Sequence, residues 1–343
     1  MVKIMGVSLV SLEKIKIGGM DQWIYIRTKN IDNPILFYLH GGPGSPVMHL
    51  FRKSQADLEN HFIVVQWEQR GAGKSYSNKI PEESMNLNQF ISDLHELILI
   101  LLKRFKKKKL YLVGHSWGSI IGILTVKKFP DLFYAYVGIS QPVNMIENEK
   151  ISYRLILKMA TKLKNKKAIK QLKKIGVPFE GLKPPYKYPY KNGYNSRFIL
   201  YKWLLKFGGV TYSINCTRDY RSYIQYYFKN QILFKFPFSS KEYTLLDKFK
   251  IALGGRFSMR LLTKEILSIN LFNQIQNLEV PVYILMGKHD YNISPELAKN
   301  YFDILKAPKR EFIWFEKSAH SPNFEEPEKF NRLLIERILP ENF

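Results

Sequence analysis

A serine lies at the centre of the most informative pentapeptide in the chain, Gly114-His115-Ser116-Trp117-Gly118. The residues before it, Leu110 to Val113, predict a short buried strand, and those after it, Ser119 to Lys128, predict a helix. A serine on a tight turn between a strand and a helix is presented as a nucleophile, and the two glycines avoid clashes in that turn. A lone Gly-x-Ser-x-Gly occurs by chance, so the interpretation needs further groups elsewhere in the chain.

A glycine-rich segment, residues 40–44 with the sequence His-Gly-Gly-Pro-Gly, follows the apolar run Ile35 to Leu39. A nucleophilic serine needs two backbone N–H groups aimed at the developing oxyanion. We expect one from the amide of Trp117 and the other from the amide of Gly41 or Gly42. Pro43 has no N–H and cannot donate.

An acid and a base follow two further predicted strands. Asp290 comes just after the strand-like run Val282 to Met286, and His320 comes after Glu311 to Phe315. Catalytic groups gather beyond the carboxyl ends of strands in open α/β sheets. In the order Ser116, Asp290, His320, the histidine would accept the serine proton and the aspartate would orient the imidazole.

Three blocks together make the chain similar to the proline iminopeptidase-like serine peptidases, an S33-type family with the α/β-hydrolase fold. They are the segment 40–44, the segment 67–75 with the sequence Trp-Glu-Gln-Arg-Gly-Ala-Gly-Lys-Ser, and the Ser116 pentapeptide. The resemblance implies hydrolysis of an amide or ester bond, often removal of an N-terminal residue such as proline from a short peptide. Glu68 stands where the family usually has Asp, and another carboxylate can keep a structural ion pair or loop hydrogen bond.

Strands alternating with helices predict a mostly parallel central sheet with helices on both faces, which is the α/β class. A hairpin of Ser8 to Lys16 and Gln22 to Arg27 should precede it, with Gly18 and Gly19 in the turn. The remaining predicted elements are strands Ile35 to Leu39, Phe62 to Gln66 and Tyr134 to Ile139, and helices Asn86 to Lys107 and Pro327 to Ile338.

The sequence divides into a core, residues 1–140 and 271–343, and an insertion, residues 141–270. The insertion is helix-like, rich in aromatic residues and interrupted by prolines. Placed between two sheet strands, it should fold over the strand ends as a mainly helical cap, shape the pocket and exclude water from the chemistry.

The net charge of +24 lies mostly in the predicted cap, which has 26 basic and seven acidic side chains. One interpretation is a surface for anionic lipid, nucleic acid or an acidic substrate. The other is heavy use of Lys, Asn, Ile and Tyr typical of AT-rich coding, with the charges on solvated faces. We favour the second and expect no nucleic-acid partner.

The hypothesis of an aminopeptidase requires a carboxylate that binds the substrate ammonium, because a buried cation without a partner is very costly. Candidates are Glu147 and Glu149, which follow a predicted strand closely, and Asp219 in an aromatic segment. The competing interpretation, which we favour for each of them, is a surface or ion-paired acid, because most acidic side chains are exposed to solvent. Two alternatives therefore stay open: a carboxylesterase-like hydrolase of small apolar esters, and a non-catalytic hydrolase-fold protein that binds a ligand.

Composition limits the remaining classes. No apolar run approaches the length of a membrane span, and no signal peptide pattern opens the chain. The single cysteine, Cys216, cannot form an internal disulfide, and we expect a cytoplasmic protein. The seven histidines are scattered without ligand spacing, so we expect no metal and no cofactor. The expected partner is a small-molecule or short-peptide substrate, and the sequence does not indicate an oligomeric state.

Overall fold

The computed structural model describes residues 7–183, 189, 194–212 and 240–342. Their strands are β1 Leu9–Ile17, β2 Met20–Thr28, β3 Ile35–Leu39, β4 Ile63–Glu68, β5 Leu110–His115, β6 Phe133–Ile139, β7 Val282–Gly287 and β8 Arg310–Phe315. They form one sheet in the order β1-β2-β4-β3-β5-β6-β7-β8. Strand β2 is antiparallel to both neighbours, and β4, β3, β5, β6, β7 and β8 are parallel.

The described helices cover both faces of this sheet. They are α1 Met48–Ser54, α2 Leu87–Phe105, α3 Trp117–Lys128, α4 Met145–Lys162, α5 Lys166–Ile175, α6 Tyr194–Lys206, α7 Leu245–Leu267, α8 Leu271–Gln274, α9 Pro295–Ile304, α10 Pro322–Glu325, α11 Pro327–Arg332 and α12 Leu339–Asn342. A π-helical segment, Leu333–Ile338, joins α11 to α12. The predicted α/β-hydrolase fold class is confirmed.

The parallel strands are buried on both faces, which explains why they read as continuous apolar runs. In β3, Ile35, Phe37 and Leu39 pack in the cluster that includes α2 and α3. Leu36 and Tyr38 point the other way, into the cluster that includes α1 and the C-terminal helices. Alternation along the strand thus builds two apolar layers on one backbone.

The predicted N-terminal hairpin is confirmed, with Ile17 opposite Met20 across the turn. Gly18 and Gly19 have φ values of 53° and 79°, which glycine adopts without strain from a Cβ. The predicted element bounds differ from the structure by a few residues. The largest difference is in the last predicted helix, Pro327 to Ile338, whose second half is the π-helical segment.

The insertion between β6 and β7 contributes α4 to α7 in its described part. Helix α7 lies against the core, because a Cβ on its Gly254 would be 2.4 Å from the carbonyl oxygen of Gly71. The division at residues 141–270 stays a prediction. Among the described helices, none is long and apolar enough to cross a membrane.

A buried ion pair ties the hairpin, the end of β4 and helix α2 together. Arg70 binds Asp93 through two hydrogen bonds of 2.9 and 3.0 Å, and the two side chains are 3% and 0% exposed. Gln22 and Gln89 also donate to the Asp93 carboxylate, at 2.9 and 2.7 Å. Arg70 also donates to the carbonyl of Gly18 at 2.9 Å and to Oγ of Ser84 at 3.3 Å. Each charge in this cluster is therefore neutralised by a partner in fixed geometry.

We expect Asp93→Asn to lower the free energy of unfolding by about 3 kcal/mol or more, because it leaves the buried Arg70 charge without its carboxylate. The measurement is urea denaturation followed by circular dichroism. Asp21→Asn is the control, since Asp21 pairs with Lys14 at 58% exposure and should change stability by less than about 1 kcal/mol. Equal losses in the two variants would contradict the role of the buried pair.

Candidate active site

Ser116 lies at the turn between β5 and α3. Its backbone angles are φ 52° and ψ −116°, a conformation that residues other than glycine rarely adopt. A Cβ at Gly114 would lie 2.5 Å from the carbonyl oxygen of Gly118. A Cβ at Gly118 would lie 2.3 Å from the carbonyl oxygen of Leu39. The two flanking glycines are therefore required by contact with backbone, which side-chain movement cannot relieve.

The three residues proposed for catalysis lie in one hydrogen-bonded chain. Nε2 of His320 is 3.0 Å from Oγ of Ser116, and Nδ1 of His320 is 2.8 Å from Oδ2 of Asp290. Asp290 is fully buried, and its Oδ1 accepts the backbone N–H groups of Asn292 and Ile293 at 2.9 and 2.8 Å. A carboxylate accepting at both oxygens leaves Nδ1–H of the imidazole as the donor, so Nε2 faces the serine as the acceptor.

The glycine-rich segment lies beside the serine. A Cβ at Gly41 would be 3.2 Å from Cβ of Ser116, and Gly42 has φ 117° and precedes Pro43 through a cis peptide bond. The N–H of Trp117 is in the first turn of α3, where backbone donors have no acceptor within the helix. The structure therefore brings the backbone of Gly41 and the amide of Trp117 to the same side chain, that of Ser116.

A buried histidine and glutamine connect these two backbone segments. The N–H of Gln69 donates to Nε2 of His40 at 3.3 Å, so Nδ1 of His40 carries the proton and donates to the carbonyl oxygen of Gly41 at 2.8 Å. The Gln69 side chain donates to the carbonyl of His40 and accepts from Nε1 of Trp117, both at 2.9 Å. Burial lowers the pKa of His40 to about 4, which keeps this imidazole neutral near pH 7.

Two further side chains hold the backbone of His320. Nε2–H of His115 donates to the carbonyl oxygen of His320 at 2.7 Å, and Oγ of Ser140 donates to the same oxygen at 3.0 Å. Burial, followed by the nearby His320, lowers the pKa of His115 to about 3. Neither His115 nor Ser140 was predicted from the sequence to have a role, although both come just after predicted strands.

The structure also places Asn292 beside His320. Its side-chain Nδ2 is 3.2 Å from Nε2 of His320, the atom that faces Ser116. Asn148 of α4 donates to the carbonyl oxygen of Asn292 at 2.9 Å. Asn292 was not among the residues predicted from the sequence, and its position two residues after Asp290 is the one sequence signal that points to it.

The residues predicted to bind a substrate ammonium have different surroundings. Glu147 is partly exposed and pairs with Lys150 at 2.8 Å. Glu149 is 4% exposed, and its Oε1 pairs with Arg197 at 3.1 Å. Its buried Oε2 has no hydrogen-bond partner in the described part of the chain. Asp219 lies outside the described residues. All three assignments stay predictions.

Glu68 keeps a loop hydrogen bond, as expected from its carboxylate. It accepts the O–H of Tyr243 and, at 2.5 Å, the backbone N–H of Lys74. Burial raises its pKa to about 7. Nζ of Lys74 in turn binds Asp247 of α7 at 2.6 Å. This cluster joins the end of β4 to the first turn of α7.

The described side chains include no group of three or more His, Cys, Asp and Glu residues that could hold a metal ion.

Comparisons with known proteins agree with this architecture. A family model described as serine aminopeptidase, S33, matches residues 56–327. The chain is 35% identical over 329 residues to a probable aminopeptidase of Bacillus subtilis, YbaC, covering 95% of this chain and 96% of that protein. It is 24% identical over 328 residues to a proline iminopeptidase of Saccharolobus solfataricus, covering 94% and 90% of the two chains.

A solved structure shows the same fold. The proline iminopeptidase-related protein from Thermus thermophilus superposes with a TM-score of 0.63 at 16% identity, covering 97% of this chain and 98% of that one.

The pKa of His40 predicts a pH dependence of stability. Below its ordinary pKa of 6.5 the unfolded chain binds a proton at His40 that the folded protein does not bind until about pH 4. Stability from this group is therefore complete above pH 6.5 and decreases as the pH falls toward 4. His40→Gln should reduce the slope of unfolding free energy against pH by about 1 kcal/mol per unit. Urea denaturation between pH 6 and 4.5 measures this slope, and an unchanged slope would contradict the neutral buried imidazole.

Proposed function

The chain belongs to the S33 serine aminopeptidase family of hydrolases, and we propose that it cleaves amide or ester bonds through an acyl-enzyme formed on Ser116. The observation that supports this most directly is the continuous hydrogen-bonded chain from Ser116 through His320 to Asp290, with distances of 3.0 and 2.8 Å. An acyl-enzyme needs a nucleophile, a base within hydrogen-bond reach and a group that orients the base.

In the proposed acylation step, Oγ of Ser116 attacks the carbonyl carbon of the substrate while Nε2 of His320 takes the serine proton. Asp290 holds the imidazole through Nδ1 and stabilises the cation that forms. The tetrahedral intermediate then collapses to the acyl-enzyme and expels the amine or alcohol, which receives the proton that Nε2 of His320 took from Ser116. Water, activated by the same nitrogen, attacks the ester carbonyl, releases the acid and restores the serine.

The negative oxygen of the tetrahedral intermediate requires donors that are already in place. We assign them to the N–H of Trp117 and to the glycine segment, Gly41 or Gly42, because these backbones adjoin Ser116. The neutral His40 and Gln69 fix both segments before substrate binds. Preorganised donors of this kind avoid reorganisation during the reaction.

The finer hypothesis is an aminopeptidase of the proline iminopeptidase type acting on short peptides. Its support is Glu149, whose buried Oε2 has no partner among the described atoms and offers an acceptor for a substrate ammonium. Asn148, the residue before Glu149 in α4, donates to the carbonyl oxygen of Asn292 in the loop that also carries Asp290. This contact brings the start of α4 next to the acid loop. The carboxylesterase alternative is favoured by Arg197, which already offsets the Glu149 charge.

We expect Ser116→Ala to reduce turnover by about 10⁴-fold or more and Asp290→Asn by about 10⁴-fold, since the first removes the nucleophile and the second leaves the imidazole in the wrong tautomer. Steady-state hydrolysis of 4-nitrophenyl acetate measures both. A Ser116→Ala protein that turns over at the wild-type rate would reject the acyl-enzyme on Ser116. A wild-type protein with no turnover above the Ser116→Ala blank would instead favour the ligand-binding alternative.

The substrate class is tested with prolyl-β-naphthylamide and its N-acetylated analogue. An aminopeptidase should prefer the free amine, and Glu149→Gln should raise KM for that substrate by about tenfold or more because one charged partner is lost. Glu82→Gln, at a side chain that is 58% exposed and outside the proposed site, is the control and should leave KM unchanged. Equal cleavage of both substrates, together with activity on a simple aryl ester, would instead assign the esterase alternative.

A further inference from the structure

A short piece of the insertion connects the loop that carries the proposed acid to the loop that carries the proposed base. We call residues 209–212 the strap. The carbonyl oxygen of Gly209 accepts the N–H of Tyr291 at 2.9 Å, next to Asp290 in the chain. The carbonyl oxygen of Val210 accepts the N–H of His320 itself at 3.2 Å. Consecutive strap carbonyls therefore bind the two loops.

The strap approaches the acid loop so closely that only glycine fits. A Cβ at Gly209 would lie 2.8 Å from Cβ and 2.9 Å from Cδ2 of Tyr291. The tyrosine Cβ is fixed to the backbone, so a methyl group at position 209 has to displace the loop itself. Further along the strap, the ring of Tyr212 lies 4.5 Å from that of His289, at 32° between planes.

A carboxylate fastens the other end of the strap to the base loop. Oε2 of Glu325 accepts the N–H of Tyr212 at 2.6 Å. The same carboxylate accepts the N–H of Ala319 at 3.2 Å and that of Ser321 at 3.1 Å, the two residues that flank His320. Burial raises the pKa of Glu325, and the backbone donors that it accepts oppose that rise. The Glu325 side chain thus binds the strap and also the two residues on either side of His320.

These contacts matter because the groups that react come from different parts of the chain. Ser116 is carried by the core turn after β5, whereas Asp290 and His320 are on loops after β7 and β8. The Ser116–His320 distance of 3.0 Å is at the length of a good hydrogen bond. A misplacement of about 1 Å can cost about 10²-fold in rate, so loops of this kind need external support.

We propose that the strap is a positioning element of the triad, in which Gly209 and Glu325 set the separation of the acid and base loops. The insertion then takes part in the chemistry by holding Asp290 and His320 in register with Ser116, in addition to any contact with substrate. This inference rests on the proposed serine hydrolase function. It assigns positioning roles to Gly209 and Glu325, which act on Asp290 and His320 through the loops that carry them.

Gly209→Ala tests the close approach. We expect kcat for 4-nitrophenyl acetate to fall at least tenfold, with KM within twofold and the melting temperature within a few degrees of wild type. Gly176→Ala, in the same insertion but outside the strap, is the matched control, because a Cβ there meets none of the described atoms within 4 Å, and its kcat should stay within twofold. A Gly209→Ala enzyme with wild-type kcat would overturn the role of the close contact.

Glu325→Gln tests the role of the carboxylate. It also tests the proposed positioning role of the strap if Gly209→Ala does not fold. The amide replaces one acceptor oxygen by a donor group that faces backbone N–H, so we expect a kcat loss of at least tenfold with KM within twofold. Glu328→Gln, an exposed residue of α11, is the control and should match wild type. Unchanged kcat in Glu325→Gln would overturn the proposal. If wild type itself shows no hydrolysis above a Ser116→Ala blank, the proposed function fails instead.

Discussion

The backbone conformation of Ser116 is the constraint on which the rest of the site depends. Ser116 has a φ of 52° and lies just after the carboxyl end of β5. The backbone around it is packed so closely that a Cβ at Gly114 or Gly118 would clash with a backbone carbonyl oxygen. A strained turn of this kind persists only where its surroundings over-determine it. Strand β5 on one side and helix α3 on the other, both buried, provide that support.

Around this turn, the structure uses few charges and many backbone hydrogen bonds. Burial keeps His40 and His115 neutral. The single N–H of each ring donates to a carbonyl oxygen, that of Gly41 for His40 and that of His320 for His115. Asp290 has its second oxygen occupied by backbone N–H groups. In a buried site such fixed dipoles act strongly on developing charge, which fits the proposed acyl transfer. The strap and Glu325 extend the same principle to the insertion.

Much of this arrangement follows from sequence for identifiable physical reasons. Buried parallel strands are short apolar runs, so the strands before Ser116, Asp290 and His320 are recognisable, and strand ends meet at one edge of the sheet. The roles of Asn292, Ser140 and Glu325 do not follow, because they depend on which loops meet in space. Position 209 gives no local signal either: the need for glycine there comes from Tyr291, which is 82 residues away.

The most direct test of the account is covalent labelling with a fluorophosphonate, read by intact mass and peptide mapping. A serine activated by His320 should gain one adduct per chain on the peptide that contains Ser116, and Ser116→Ala and His320→Ala should gain none at the same concentration and time. Wild-type protein that stays unlabelled, or equal labelling of wild type and Ser116→Ala, would contradict the claim that Ser116 is the activated nucleophile.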